Sequence, residues 1–104
     1  MEQYQEDQTI NEFNRFQKHV SEVHPATISL EYFTLRLSGE VGHLSNAVAR
    51  IARGEFSNKG AHAYESVVEQ IMCDCHDILK CVALIATVLE KKMSDVIEIG
   101  KQGG

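Results

Sequence analysis

The chain is short of proline, of tryptophan and of basic charge, and each shortage removes a class of protein. One proline, Pro25, and seven glycines in 104 residues leave too little punctuation for the many short strands of a sandwich or barrel. Three cysteines is an odd number, and Cys73 and Cys75 fall two apart on one predicted helix. A disulfide framework is therefore not expected, and a reducing cytoplasm fits the composition better. No apolar run approaches the ~20 residues of a membrane span. The polar, acidic stretch MEQYQEDQTI does not read as a secretory signal. Ten basic against 15 acidic residues give a net charge of −5, which provides no basic face for nucleic acid and none for an anionic membrane. No phosphate-binding GxxxxGK loop and no nucleophile turn for a catalytic triad occurs. An acidic chain can still hold a nucleotide where a divalent cation bridges carboxylates to phosphates.

What remains is helical periodicity over one domain, residues 1–104, with 1–8 and 102–104 expected to be flexible. The first helix is predicted to start at Thr9, where TINE has the form of a capping box. Ile10, Phe13, Phe16 or Gln17, Val20 and Val23 then recur at helical spacing, up to the break at VHPAT. Thr27 or Ser29 can cap a second helix. Its core stripe runs Leu30, Phe33, Leu37, Val41, Leu44, Val48, Ile51. RGEFSNKG reads as a loop. A third helix is predicted from Ala61 to Glu90, with Val67, Ile71, Ile78, Val82, Ile85 and Leu89 as its stripe. A short last helix begins at Ser94. Two long helices with matching seams and two shorter ones predict an all-α, antiparallel four-helix arrangement. Two such long stripes are not expected to be covered within one chain, so association should complete the bundle.

Within these stripes LSGEVGHLSN pairs Glu40 with His43, and MCDCHDILKC pairs Asp74 with Asp77. Residues at i and i+3 share a helix face. If the two stripes pack together, three carboxylates and an imidazole converge. Carboxylates gathered in a partly dry space must protonate, stay wet or hold a cation. Carboxylate-bearing i,i+3 pairs on facing helices are one way a bundle builds a metal site. The alternative is that each pair is an ordinary solvated face.

The stretch LRLSGEVGHLSNAVARI, followed by DCHDILKCVALIATVLEKKMSDVIE, resembles the MazG-like all-α nucleoside triphosphate pyrophosphohydrolases over about residues 30–101. That family carries EExxE on one helix and ExxD on a later one, which continues as an apolar segment and ends in a turn before a short helix. Glu40 stands at the second Glu of the first motif and Asp77 at the Asp of the second. Gly39 stands where the first Glu would be, His43 replaces the third, and Asp74 replaces the Glu of ExxD. The resemblance implies a MazG-like bundle that forms a homodimer or a dimer of dimers. It implies Mg2+ or Mn2+ held by Glu40, His43, Asp74 and Asp77, with Glu40 and Asp77 as the catalytic carboxylates. It also implies release of pyrophosphate from a nucleoside triphosphate of house-cleaning type. Lys80, Arg36 and Lys101 are the cations placed to meet phosphates, and Arg50, Arg53 and Lys59 lie near the loop. Gly39 and His43 put turnover in doubt more than binding, so a catalytically weakened nucleotide- or metal-binding module, or a helical oligomerisation module, is the competing expectation. An imidazole among the ligands predicts a preference for Mn2+ or another transition metal over Mg2+.

Two other patterns carry less. Cys73 and Cys75 point about 200° apart on a helix and cannot grip one zinc ion, so the cysteines read as small hydrophobes. His76–Asp77 has the HD dipeptide of a phosphohydrolase class whose domains are generally longer than this chain. Phe13, Phe16, Tyr32 and Phe33 at helical spacing read as core or subunit interface, and His19, His24 and His62 as surface or cap residues.

Overall fold

The computed structural model describes residues 2–23, 29–57 and 60–103. Four α-helices follow in order: α1 Glu2–Val23, α2 Leu30–Ala52, α3 Gly60–Val88 and α4 Met93–Gly103. No strand occurs among the described residues, so the all-α expectation holds. No helix among them is long and apolar enough to cross a membrane.

The helix interiors fall where the periodicity puts them, but the seam runs one position round from parts of the expected stripes: Val23, Leu30, Val41, Val48 and Leu89 are exposed, while Ala47, Cys81, Ala83, Leu84 and Ala86 are buried. The ends show what periodicity leaves out. α1 does not begin at Thr9; it reaches back to Glu2. A capping box starts a helix only where the preceding residues leave helical geometry, and here five of the seven are glutamates and glutamines, good helix formers, and the acids among them suit a helix N-terminus. Ser29 caps α2: its hydroxyl accepts the Tyr32 N–H at 3.2 Å; Thr27 lies outside the described residues. α2 and α3 close in the same way. After α2 the Glu55 N–H donates to the Arg50 carbonyl (3.2 Å) and the Gly54 N–H to that of Ile51 (2.9 Å), with Gly54 left-handed at φ 78°. After α3 the Lys91 N–H donates to the Ala86 carbonyl (2.8 Å) and the Glu90 N–H to that of Thr87 (3.0 Å), with Glu90 at φ 59°. These are Schellman closures, and the second ends α3 at Val88, short of the predicted Glu90.

The chain reverses between α2 and α3. Phe33, early in α2, shares a core cluster with Leu84, late in α3, and Glu40 meets Asp74 near the middle. α1 packs on the far half of α3: Val20 joins Phe33 and Leu84, while Phe13 and Phe16 lie against Ala83, Ala86 and Met93. The small Ala83 and Ala86 leave room for those rings. α4 lies against α1 and the end of α3, and among the described residues it makes no contact with α2.

Gln17 fixes that corner. Its amide nitrogen donates to the Thr87 hydroxyl (3.1 Å) and the Lys91 carbonyl (2.8 Å), and its oxygen accepts the Met93 N–H (2.8 Å). Asn14 accepts the Ser94 N–H at 3.1 Å, and Asp95 reaches back to the Lys92 N–H at 2.9 Å. The free donors at the start of α4 are thus satisfied by two side chains of α1 and one of its own.

Candidate metal centre

Glu40 and His43 lie one turn apart on α2, and Asp74 faces them from α3. One donor atom from each lies within 4.8 Å of the others. Asp74 is 3 % exposed, Glu40 is half-buried and His43 is exposed, so the group is closed on the α3 side and open to solvent past the imidazole. The buried carboxylate keeps one local partner: Gln70, one turn earlier on α3, donates to its Oδ1 at 3.0 Å.

No lysine or arginine forms an ion pair with Glu40 or Asp74 among the described residues. Two carboxylates face each other across a helix seam, one of them almost wholly out of water, and no ion pair among the described residues offsets them. Such a pair favours a bound cation. Donors on one octahedral ion of Mn2+ or Mg2+ size sit about 3.0 Å apart when adjacent and about 4.2 Å when opposite. Donors that all lie within 4.8 Å of one another are within reach of one such ion by small side-chain movements. Two carboxylates and an imidazole form a mixed oxygen and nitrogen set, which fits a first-row transition ion better than an all-oxygen preference would.

Asp77 does not join this group. It sits one turn beyond Asp74, with its carboxylate 3.6 Å from the Lys80 ammonium. Lys80, expected at a phosphate, is thus occupied by Asp77. Arg36 stands one turn before Glu40, and its charge, with those of Glu40, Asp77 and Lys80, acts on the Cys81 thiol. Burial pushes that thiol above its ordinary value; Arg36 opposes the rise, Glu40 and Asp77 add to it, and Lys80 opposes it. Cys81 thus marks the common neighbourhood of all four charged residues, on the α2–α3 seam beside the triad.

Lys101 is not brought there. It sits on α4, its ammonium 3.9 Å from Glu98 on the same helix. Arg50 and Arg53 turn to Glu55 instead, at 2.8 and 3.3 Å, and hold its carboxyl below the usual range; Arg50 also lies over the Phe56 ring at 5.1 Å. Lys59 and His24 lie outside the described residues. His76 packs edge-on against Phe16, with ring centroids 5.6 Å apart, away from any metal-binding group found among the described residues.

Gln70 and Cys81 were not singled out by sequence as partners of the site. Gln70 was legible, since a Gln four residues before an Asp on a helix is a known pairing. Cys81 was not, because its surroundings come from the packing of α2 on α3.

Comparison with protein-family models, with curated proteins and with solved structures produced no match.

Proposed function

We propose that the chain is a metal-dependent nucleoside triphosphate pyrophosphohydrolase of MazG-like type, built on an antiparallel helical bundle and acting on canonical or modified (d)NTPs. The observation that carries this reading is the meeting of Glu40, His43 and Asp74 at the motif positions on facing helices, with no basic residue paired to either carboxylate. Glu40 and Asp74 would hold a divalent ion, with His43 completing the set from the open side. Such an ion would supply positive charge against the phosphate oxygens. The chain's own residues would do the rest. Asp77, held at the edge of the site by Lys80, is placed to accept a proton from an attacking water or to add a ligand. Lys80 and Arg36 would meet the outer phosphates, Lys80 once a triphosphate displaces it from Asp77. Cys81, buried and kept neutral, adds no competing charge at the seam.

A second reading is favoured by Gly39 and by the exposure of His43. The acid that the family motif places at position 39 is missing, so the same site would bind metal and nucleotide without appreciable turnover.

A pyrophosphate-release assay over a dNTP panel with Mg2+ or Mn2+ separates the two. Under the first reading Asp74→Asn, which keeps the side chain's volume and its hydrogen bond with Gln70, abolishes release while the helical circular dichroism is retained. Asp77→Asn does the same. Release that survives Asp74→Asn places the chemistry elsewhere. Nucleotide binding by the wild type without release selects the second reading.

A further inference from the structure

Where α1, the end of α3 and the start of α4 meet, a cavity of about 330 Å3 is lined by Asn14, Gln17, Lys18, Ser21, Thr87 and Lys92. None of the six is acidic and none is apolar, in a chain whose net charge is −5. Asn14, Gln17, Lys18 and Ser21 follow one another on α1 at helical spacing and share one face of it. Thr87 comes from the last turn of α3, and Lys92 stands immediately before α4.

The hydrogen bonds of this corner decide what the cavity presents. The Gln17 oxygen accepts the Met93 N–H at 2.8 Å, and the Asn14 oxygen accepts the Ser94 N–H at 3.1 Å. Both side-chain carbonyls are thus engaged by the free donors at the start of α4. The Gln17 NH2 is engaged too, with the Thr87 hydroxyl and the Lys91 carbonyl. Thr87 donates its own proton to the Ala83 carbonyl at 2.9 Å. It therefore accepts from Gln17, and Ser21 is the donor across the 2.8 Å contact between the two hydroxyls.

What remains is a set of donors. The Asn14 NH2 bonds to nothing among the described residues. The ammonium groups of Lys18 and Lys92 form no ion pair among them. Ser21 can turn its O–H toward a ligand, because Gln17 still supplies Thr87 with a donor. Asp95 lies outside the lining and reaches to the Lys92 N–H at 2.9 Å instead. Donors from three segments, two of them cationic, suit an anion with several acceptor oxygens. Two ammonium point charges match the charge of a phosphate group near neutral pH. The volume lies at the lower end of the range for small-molecule sites, which suits a phosphate carrying few other atoms.

We propose that this corner binds a phosphate group, free or as a small ester, through Lys18, Lys92 and Asn14. The site is separate from the metal centre: Thr87 lies more than three turns beyond Asp74 on α3, roughly 20 Å along the helix. The proposal does not depend on the pyrophosphohydrolase reading, and its test needs no metal.

Calorimetry of the full chain with inorganic phosphate, in EDTA and at constant ionic strength, should show binding at one site. Phosphate should also raise Tm where chloride does not, since its occupant ties α1 to α3 and α4. Lys18→Gln combined with Lys92→Gln should weaken binding about tenfold or more, because hydrogen bonds to charged groups contribute that much. Asn14→Asp keeps an oxygen for the Ser94 N–H but puts a carboxylate in place of the NH2. It should abolish phosphate binding with the helical circular dichroism intact, and it decides alone should the lysine pair fail to fold. Lys80→Gln, at the metal centre, should leave phosphate binding unchanged. Glycerol phosphate separates the two sources: tighter binding than that of inorganic phosphate assigns the corner to a small ester, and weaker binding to the free ion. A wild type that binds neither at millimolar concentration overturns the proposal. So does binding that survives both corner variants, or that is lost in Lys80→Gln.

Discussion

Position 39 is where the chemistry of a single residue bears most directly on the proposed activity. Gly39 is helical and exposed, and a Cβ built there meets nothing within 4 Å. It lies one turn before His43, on the open side of the triad. Gly39→Glu should fit without strain and should stabilise α2 by roughly 0.5–1 kcal/mol, because glycine costs a helix about that much. It would also restore the acid of the family motif beside the site. Both Mg2+ affinity, read by calorimetry, and the rate of pyrophosphate release should rise. A variant that is more stable but unchanged in both would break the correspondence between this chain and the EExxE motif. His43 makes a second prediction. The wild type should bind Mn2+ at least tenfold more tightly than Mg2+, and His43→Glu should narrow that gap, since a carboxylate suits the harder ion. Equal affinities in the wild type would mean that the imidazole is not a ligand. Glu40, His43 and Asp74 were legible because i,i+3 spacing on two amphipathic helices fixes which way they face. The pairing of Asp77 with Lys80 was harder to read, since both belong to the same turn and either can face the seam.

Helix boundaries and helix contacts follow different rules from helix interiors. The interiors of α2 and α3 were readable from spacing alone, with Ser29 one of two caps offered, but the seam itself was not: Leu30, Val41, Val48 and Leu89 of the expected stripes are exposed, and Ala47, Cys81, Ala83, Leu84 and Ala86 are buried. The extension of α1 to Glu2 was not, because the TINE signal is local and the residues before it carry no stop. Gln17 was ambiguous for a related reason. Periodicity could not choose between Phe16 and Gln17 for the stripe, and the structure buries Gln17 to 8 % exposure. Its partners Thr87, Lys91 and Met93 lie 70 or more residues away in sequence, out of reach of any pattern argument. Gln17→Leu keeps the size of the side chain but strands the Met93 N–H and the Lys91 carbonyl in the corner between α1, α3 and α4. The expected cost is about 2–3 kcal/mol, a fall in Tm of roughly 10–15 °C. Lys18→Leu, one residue on and exposed, should cost little. Equal melting curves for the two variants would show that the corner is held by the packing of Phe13 and Phe16 alone.

At the scale of the whole molecule, the core is small for the apolar surface left open. Few large apolar side chains are deeply buried: Phe33, at 2 % exposure, is the largest, and much of the rest of the core is alanine, valine and cysteine. Meanwhile Leu35, Met72 and Ile99 stand 65–74 % exposed. If a second chain covers that surface, as expected from the sequence, part of the stability comes from pairing and the melting temperature depends on concentration. Each tenfold rise in concentration would then add about 1.4 kcal/mol to the folded dimer. For two chains of this length that corresponds to about 3 °C in Tm. Salt should act in the same direction. Each chain carries a net charge of −5, and bringing two together costs repulsion that ions screen, so raising salt from about 0.01 M to about 0.15 M should raise Tm further. A Tm constant from 1 to 100 µM, with or without salt, would mean that the described core alone holds the fold. It would also mean that the open apolar surface contributes nothing to stability.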